Sequence, residues 1–69
     1  MQEFAARLQA LREGRQMSCK TLGELVGLSK NMIGMYERGE KEPKLTTLKK
    51  LAGFFGVTVD YLCGNEPYK

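Results

Sequence analysis

Apolar residues recur along this chain at helical spacing, and serines, a threonine and glycines interrupt them at short intervals. Phe4, Leu8 and Leu11 fall at i, i+4 and i+7, on one face of a helix predicted from Gln2 to about Glu13 and ended by Gly14. Ser18 is a good N-cap for a second helix, Cys19 to about Val26, with Leu22 and Val26 turned inward and Leu25 at the edge. Gly27 stands where a helix stops in the left-handed conformation that glycine adopts without steric cost. Ser29 heads a third helix, Lys30 to about Arg38, stopped by Gly39. A polar loop, Glu40 to Lys44, contains Pro43. A fourth helix covers about Leu45 to Phe55, with Leu45, Leu48, Ala52 and Phe55 sharing a face and Gly56 as the stop. Thr58 caps a short fifth helix, Val59 to about Cys63, which Gly64 ends and in which Cys63 is expected to pack on the core. No run alternates long enough to be a strand. The pattern predicts an all-α bundle of five helices, with one domain over residues 1–64 and a short frayed tail over 65–69.

The connection at Gly27 is too short for helices 2 and 3 to lie antiparallel, so they must cross steeply. That is the helix-turn-helix geometry, whose second helix is the one proteins place in the DNA major groove. Stepping about 100° per residue from Lys30 puts Gly34, Arg38, Asn31 and Met35 within roughly 40° to 140°, while Ile33, Tyr36 and Glu37 face the other way and Met32 sits at the border. Ile33 and Tyr36 are therefore core residues. The outward face offers Asn31, whose amide can pair bidentately with adenine, and Lys30, which can donate to guanine. Met35 suits a thymine methyl. Gly34 costs the helix roughly 1 kcal/mol against alanine, which suggests that something approaches closely there. Outside this context, Lys30 and Asn31 would read as an ordinary solvated face.

Composition narrows the alternatives. Sixty-nine residues suit a single small domain. No apolar run approaches the roughly 18 residues of a membrane span, and no basic-then-apolar leader starts the chain, so a cytoplasmic location is expected. Two separated cysteines, Cys19 and Cys63, make neither a disulfide framework nor a zinc site. Without histidine there is no Ser–His or Cys–His catalytic pair, so neither an enzyme nor a cofactor is expected. Cys19 at a helix start could be a redox-sensitive thiol or simply a tolerated small residue. The net charge is +3 with pI near 9.0. It is concentrated between Arg38 and Lys50, where five basic residues face only Glu40 and Glu42. Alone, such a run is a solvated surface; beside a helix-turn-helix it is a phosphate grip, with Arg38, Lys41 and Lys44 leading and Arg15 and Lys20 secondary.

The pattern Met17-Ser18-x-x-x-Leu22-Gly23-Glu24-x-x-Gly27-Leu28-Ser29-x-x-x-Ile33-x-x-Tyr36-Glu37-x-Gly39-x-x-x-Pro43 resembles the phage repressor/Cro type of helix-turn-helix DNA-binding domain. The segment Leu51-Ala52-x-Phe54-Phe55-Gly56-Val57-Thr58-Val59-Asp60-Tyr61-Leu62 is similar to that family's last two helices, so the resemblance covers about Phe4 to Gly64. It implies a lambda-repressor-like bundle and a dimer on a near-palindromic operator. By position it implies base reading by Lys30, Asn31 and Met35, with Gly34 at a further groove-facing position. Arg12 and Glu37 match a pair that ties helix 1 to helix 3. Val59 and Tyr61 match a dimerisation strip, which Phe54 extends. Cys19 stands where the family typically has a phosphate-contacting glutamine; a thiol is a weak donor, which shifts that contact toward backbone amides. Gly23 replaces a usual alanine.

The expected function is sequence-specific binding of double-stranded DNA by a small transcriptional regulator, a repressor, acting as a weak homodimer. The competing reading is a protein-interaction module on the same fold, such as an antitoxin or anti-repressor partner, using Met32, Met35 and Phe54.

Overall fold

Side-chain caps start three of the helices. Ser18 accepts a hydrogen bond from the Thr21 amide at 3.0 Å, Ser29 from the Met32 amide at 3.0 Å, and Thr58 from the Tyr61 amide at 2.9 Å. The computed structural model describes residues 2–65, and the expected tail beyond Asn65 lies outside them. Its elements are α1 (Gln2–Gly14), α2 (Cys19–Val26), α3 (Lys30–Glu37), α4 (Leu45–Phe55) and α5 (Val59–Cys63). No strand occurs among the described residues.

Two predicted details change. Gly14 does not end α1 but remains helical. The chain turns on past it, with the Gln16 amide on the Glu13 carbonyl at 2.9 Å. Gln16 then takes the left-handed conformation, φ 57°, and the Met17 amide returns to the Arg12 carbonyl at 3.2 Å. Leu45 leaves the predicted face of α4 and is 58% exposed, while Leu51 is fully buried beside Leu48, Ala52 and Phe55. Leu45 opens its helix, and side chains lean toward a helix N-terminus, so it projects beyond the packed turns.

α1, α3 and α5 meet around Phe4, Leu8, Ile33, Tyr36 and Leu62, and α2 and α4 close the core with Leu22, Val26, Leu48, Leu51 and Phe55. Phe4 and Tyr36 meet edge to face with ring centroids 5.6 Å apart, tying α1 to α3. Cys63 is half-buried against this core.

The α2–α3 turn is set by two glycines. Gly27 is left-handed, φ 75°, as its position in the sequence demands. Gly23 is buried, and a Cβ there would lie 2.5 Å from the Leu28 carbonyl oxygen. That close approach lets the Leu28 amide reach the Gly23 carbonyl at 2.8 Å. The result presents α3 across α2 with one long face free.

Candidate nucleic-acid interface

The orientation of α3 is locked from behind. Arg12 of α1 donates Nε to Glu37 Oε2 at 2.6 Å and Nη2 to Oε1 at 2.9 Å. Its Nη1 donates to the Met17 carbonyl at 2.6 Å, so one guanidinium joins α1, the α1–α2 turn and the end of α3. Both partners are largely buried, with side chains 13% and 8% exposed. The hydrogen bond from Glu37 raises the Arg12 pKa above its already high ordinary value, so the charge is permanent. Together with Ile33 and Tyr36 in the core, this pair fixes which residues of α3 face outward.

That outward face is concave. An open depression of about 410 Å³ is lined by Cys19 at the start of α2, by Lys30, Asn31, Gly34, Met35 and Arg38 along α3, and by Glu40 just beyond it. Lys30, Asn31 and Arg38 are exposed, Gly34 and Met35 half-buried. Lys20, Lys41 and Lys44 lie outside the depression and are exposed. The N-terminus of α4, at Lys44, has no side-chain cap, which leaves its first amides unblocked by a side chain.

The structure joins one predicted contact residue to a neighbour that the sequence did not single out. Arg38 donates Nε to Glu40 Oε2 at 2.9 Å and Nη2 to Oε1 at 3.2 Å. The pairing raises the Arg38 pKa and holds the Glu40 carboxyl below the ordinary glutamate range. Arg15 is elsewhere. Its guanidinium lies over the Phe54 and Phe55 rings and donates to the Phe54 and Phe55 carbonyls at the C-terminus of α4, where a cation complements the helix dipole. Arg15 thus lies outside the α3 depression, an exposed side chain seated on the end of α4.

Arg7 carries no functional expectation from the sequence, yet it is 4% exposed. It donates Nη1 to the Tyr61 carbonyl at 2.6 Å and lies 4.5 Å from the Tyr61 ring centroid. The available signal was angular: on a helical wheel Arg7 flanks the stripe of Phe4, Leu8 and Leu11. Phe54, Val59 and Tyr61 are all half-buried at the α4–α5 side, Phe54 edge to face with Phe55 at 5.0 Å. The large apolar residues that are more exposed are Leu25 and Leu45.

Residues 8–62 match the helix-turn-helix family designated HTH_3. The chain belongs to this family. Its members are DNA-binding transcriptional regulators rather than enzymes. This helix-turn-helix domain is 36% identical over 63 residues to the transcriptional repressor RstR of the cryptic phage CTXphi from Vibrio cholerae, covering 91% of this chain and 57% of that protein. It is also 36% identical over 64 residues to the transcriptional activator BcrR of Enterococcus faecalis, covering 93% of this chain and 31% of that protein. The chain thus spans a third to somewhat over half of these relatives. Among solved structures, the P22 c2 repressor protein in complex with a synthetic operator superposes with a TM-score of 0.86 at 30% identity, over 96% of this chain and all of that one. The lambda-repressor-like fold is thereby established for the domain. Among the described residues no helix is long and apolar enough to cross a membrane, and no group of three His, Cys, Asp or Glu side chains is placed to hold a metal ion.

Proposed function

We propose that this helix-turn-helix domain binds double-stranded DNA sequence-specifically, with α3 in the major groove, as a small transcriptional repressor in the cytoplasm of a bacterial cell. The observation that carries the reading is the face of α3 pointing away from the core. It gathers Lys30, Asn31, Met35 and Arg38 around a glycine, beside the start of α2. Lys30 and Asn31 supply base-edge donors and an acceptor in the first turn of the helix, the part that reaches deepest into a groove. Gly34 provides clearance. Lys41 and Lys44, with Lys20 and the amides near Cys19 and at the start of α4, hold phosphates and fix the register without reading sequence. Repression requires nothing beyond these contacts, because occupying a promoter is enough.

Two copies related by a two-fold axis present two α3 helices about 34 Å apart, one turn of DNA. Phe54, Val59 and Tyr61 form the contact between copies. The patch is small and already half-buried within the chain, so the dimer is weak and forms with the help of DNA. The operator is accordingly near-palindromic.

The interaction-module reading loses ground on a specific point. It relied on Met32, Met35 and Phe54 being exposed, whereas Met32 and Phe54 pack against the core and Met35 is half-buried.

The test is the salt dependence of binding to a labelled mixed-sequence duplex. A dimer neutralising about six phosphates loses roughly a thousandfold in affinity between about 50 and 200 mM salt. Binding that is absent at low salt, or flat across this range, contradicts the proposal and restores the interaction-module reading.

A further inference from the structure

Arg38 and Glu40 do not behave as two independent surface charges. They face each other through two hydrogen bonds at the edge of the α3 depression. A guanidinium has two edges that present paired donors. Glu40 occupies the side edge, Nε and Nη2. Among the described residues the Arg38 side chain has no other hydrogen-bond partner, so the end edge, Nη1 with the second hydrogen of Nη2, is left for something else.

Where the guanidinium sits gives the second clue. Arg38 is the C-cap residue of α3, yet its side chain runs back along the helix. A Cβ built on Gly34, one turn earlier, would lie 2.9 Å from Arg38 Nη1. The glycine is thus the seat over which the guanidinium rests, beside Lys30, Asn31 and Met35. A phosphate-gripping arginine needs no such placement, since backbone phosphates flank the groove rather than line its floor.

We infer that Arg38 reads a guanine, with Glu40 as the positioning residue that clamps its side edge and Gly34 as the gap that admits it to the groove floor. The free end edge then donates to guanine O6 and N7, the commonest specific contact in the major groove. The inference rests on the proposed placement of α3 and gives Arg38 a base contact in place of the phosphate contact expected from its sequence position. It also accounts for an acidic residue on a face that must approach polyanionic DNA. A carboxylate there repels phosphates unless it is spent on a cation, and this one is spent on Arg38. Its carboxyl titrates below the ordinary range, so it stays ionised at neutral pH.

The experiment compares wild type, Arg38→Lys, Glu40→Gln, Gly34→Ala and Asn31→Ala on a duplex selected by wild type and on its single-base variants, with a mixed-sequence duplex as control. Wild type shows a guanine preference at one base pair of each half-site. Arg38→Lys keeps the charge but lacks the paired edge, and it loses roughly tenfold or more of that preference. Glu40→Gln loses the same preference while its affinity for the control duplex changes little. Gly34→Ala melts at or above the wild-type temperature, since alanine favours the helix, and still weakens the guanine preference by displacing the guanidinium. Asn31→Ala keeps the guanine preference and relaxes a different base pair.

Two results overturn the inference while leaving the proposed function standing. One is Glu40→Gln binding every duplex more tightly with its guanine preference intact, which makes Glu40 a competitor for Arg38. The other is Arg38→Lys retaining the preference. A wild-type protein with no sequence preference at all overturns both readings.

Discussion

Glu37 and Glu40 lie three residues apart and each holds an arginine, but burial gives the two pairs different consequences. Glu37 and Arg12 are withdrawn from water. Such a pair adds little net stability, since both ions were desolvated to make it, whereas deleting one partner strands the other and costs about 3–5 kcal/mol. Glu37→Ala is therefore expected to lower the urea unfolding free energy by about 3 kcal/mol, a large share of the stability of a domain this small. A urea midpoint equal to wild type contradicts the structural role. The Glu40–Arg38 pair is solvent-exposed and contributes chiefly geometry. The folded-state pKa of Glu40 is depressed, so its favourable contribution is present above the ordinary glutamate range and is lost as pH falls through the lowered value. A carboxyl-carbon NMR titration should find the Glu40 midpoint below the ordinary range in wild type and back within it in Arg38→Ala. An unchanged midpoint in that variant removes the clamp. Arg12 and Glu37 were legible through the family resemblance, but the Arg38–Glu40 pair was not. Glu40 falls outside the α3 periodicity, and only the left-handed turn at Gly39 brings it back against the helix. Arg7 was missed because charge argues for exposure, while its partner, the Tyr61 carbonyl, lies 54 residues away.

At the scale of the elements, the sequence announces its helix starts more reliably than its helix ends. Ser18, Ser29 and Thr58 cap where they were expected to, because an N-cap needs only one side-chain oxygen and the next turn. The end of α1 was misplaced because Gly14 is a glycine without a turn to make. The left-handed position falls to Gln16, which a hydrogen bond from Met17 and the Arg12 contact hold in place. Glycine thus has opposite effects by position. Gly27 is left-handed at the turn that aims α3, so Gly27→Ala is expected to cost about 1–2 kcal/mol. Gly53 is helical, exposed and has nothing within 4 Å of a built Cβ, so Gly53→Ala is expected to add up to about 1 kcal/mol. Chemical denaturation of the two variants checks both signs. A stabilised Gly27→Ala would mean that the turn is not strained by a side chain. Leu45 shows where periodicity stops short: it marks a face, but not how far along the helix that face remains covered.

For the molecule as a whole, the proposed function assigns affinity and specificity to different surfaces. Lys41 and Lys44 lie outside the α3 depression, so Lys41→Ala should weaken binding to every duplex alike and flatten the salt slope by about one unit. A Lys41→Ala variant that changes the preferred sequence argues against this division. In the proposed dimer, pairing of two copies adds the spacing between half-sites as a further source of selectivity. Tyr61→Glu should reduce cooperativity on DNA while leaving the far-ultraviolet circular dichroism of the domain unchanged. The central claim is that the outward face of α3 reads bases, and selection from a random duplex pool by wild type and Asn31→Ala tests it most directly. Wild type is predicted to enrich a near-palindrome with half-sites about one helical turn apart. Asn31→Ala should enrich the same sequence with one base pair per half-site relaxed, a loss of about 1–3 kcal/mol at that pair. A pool that stays random, or an Asn31→Ala selection identical to that of wild type, contradicts the claim.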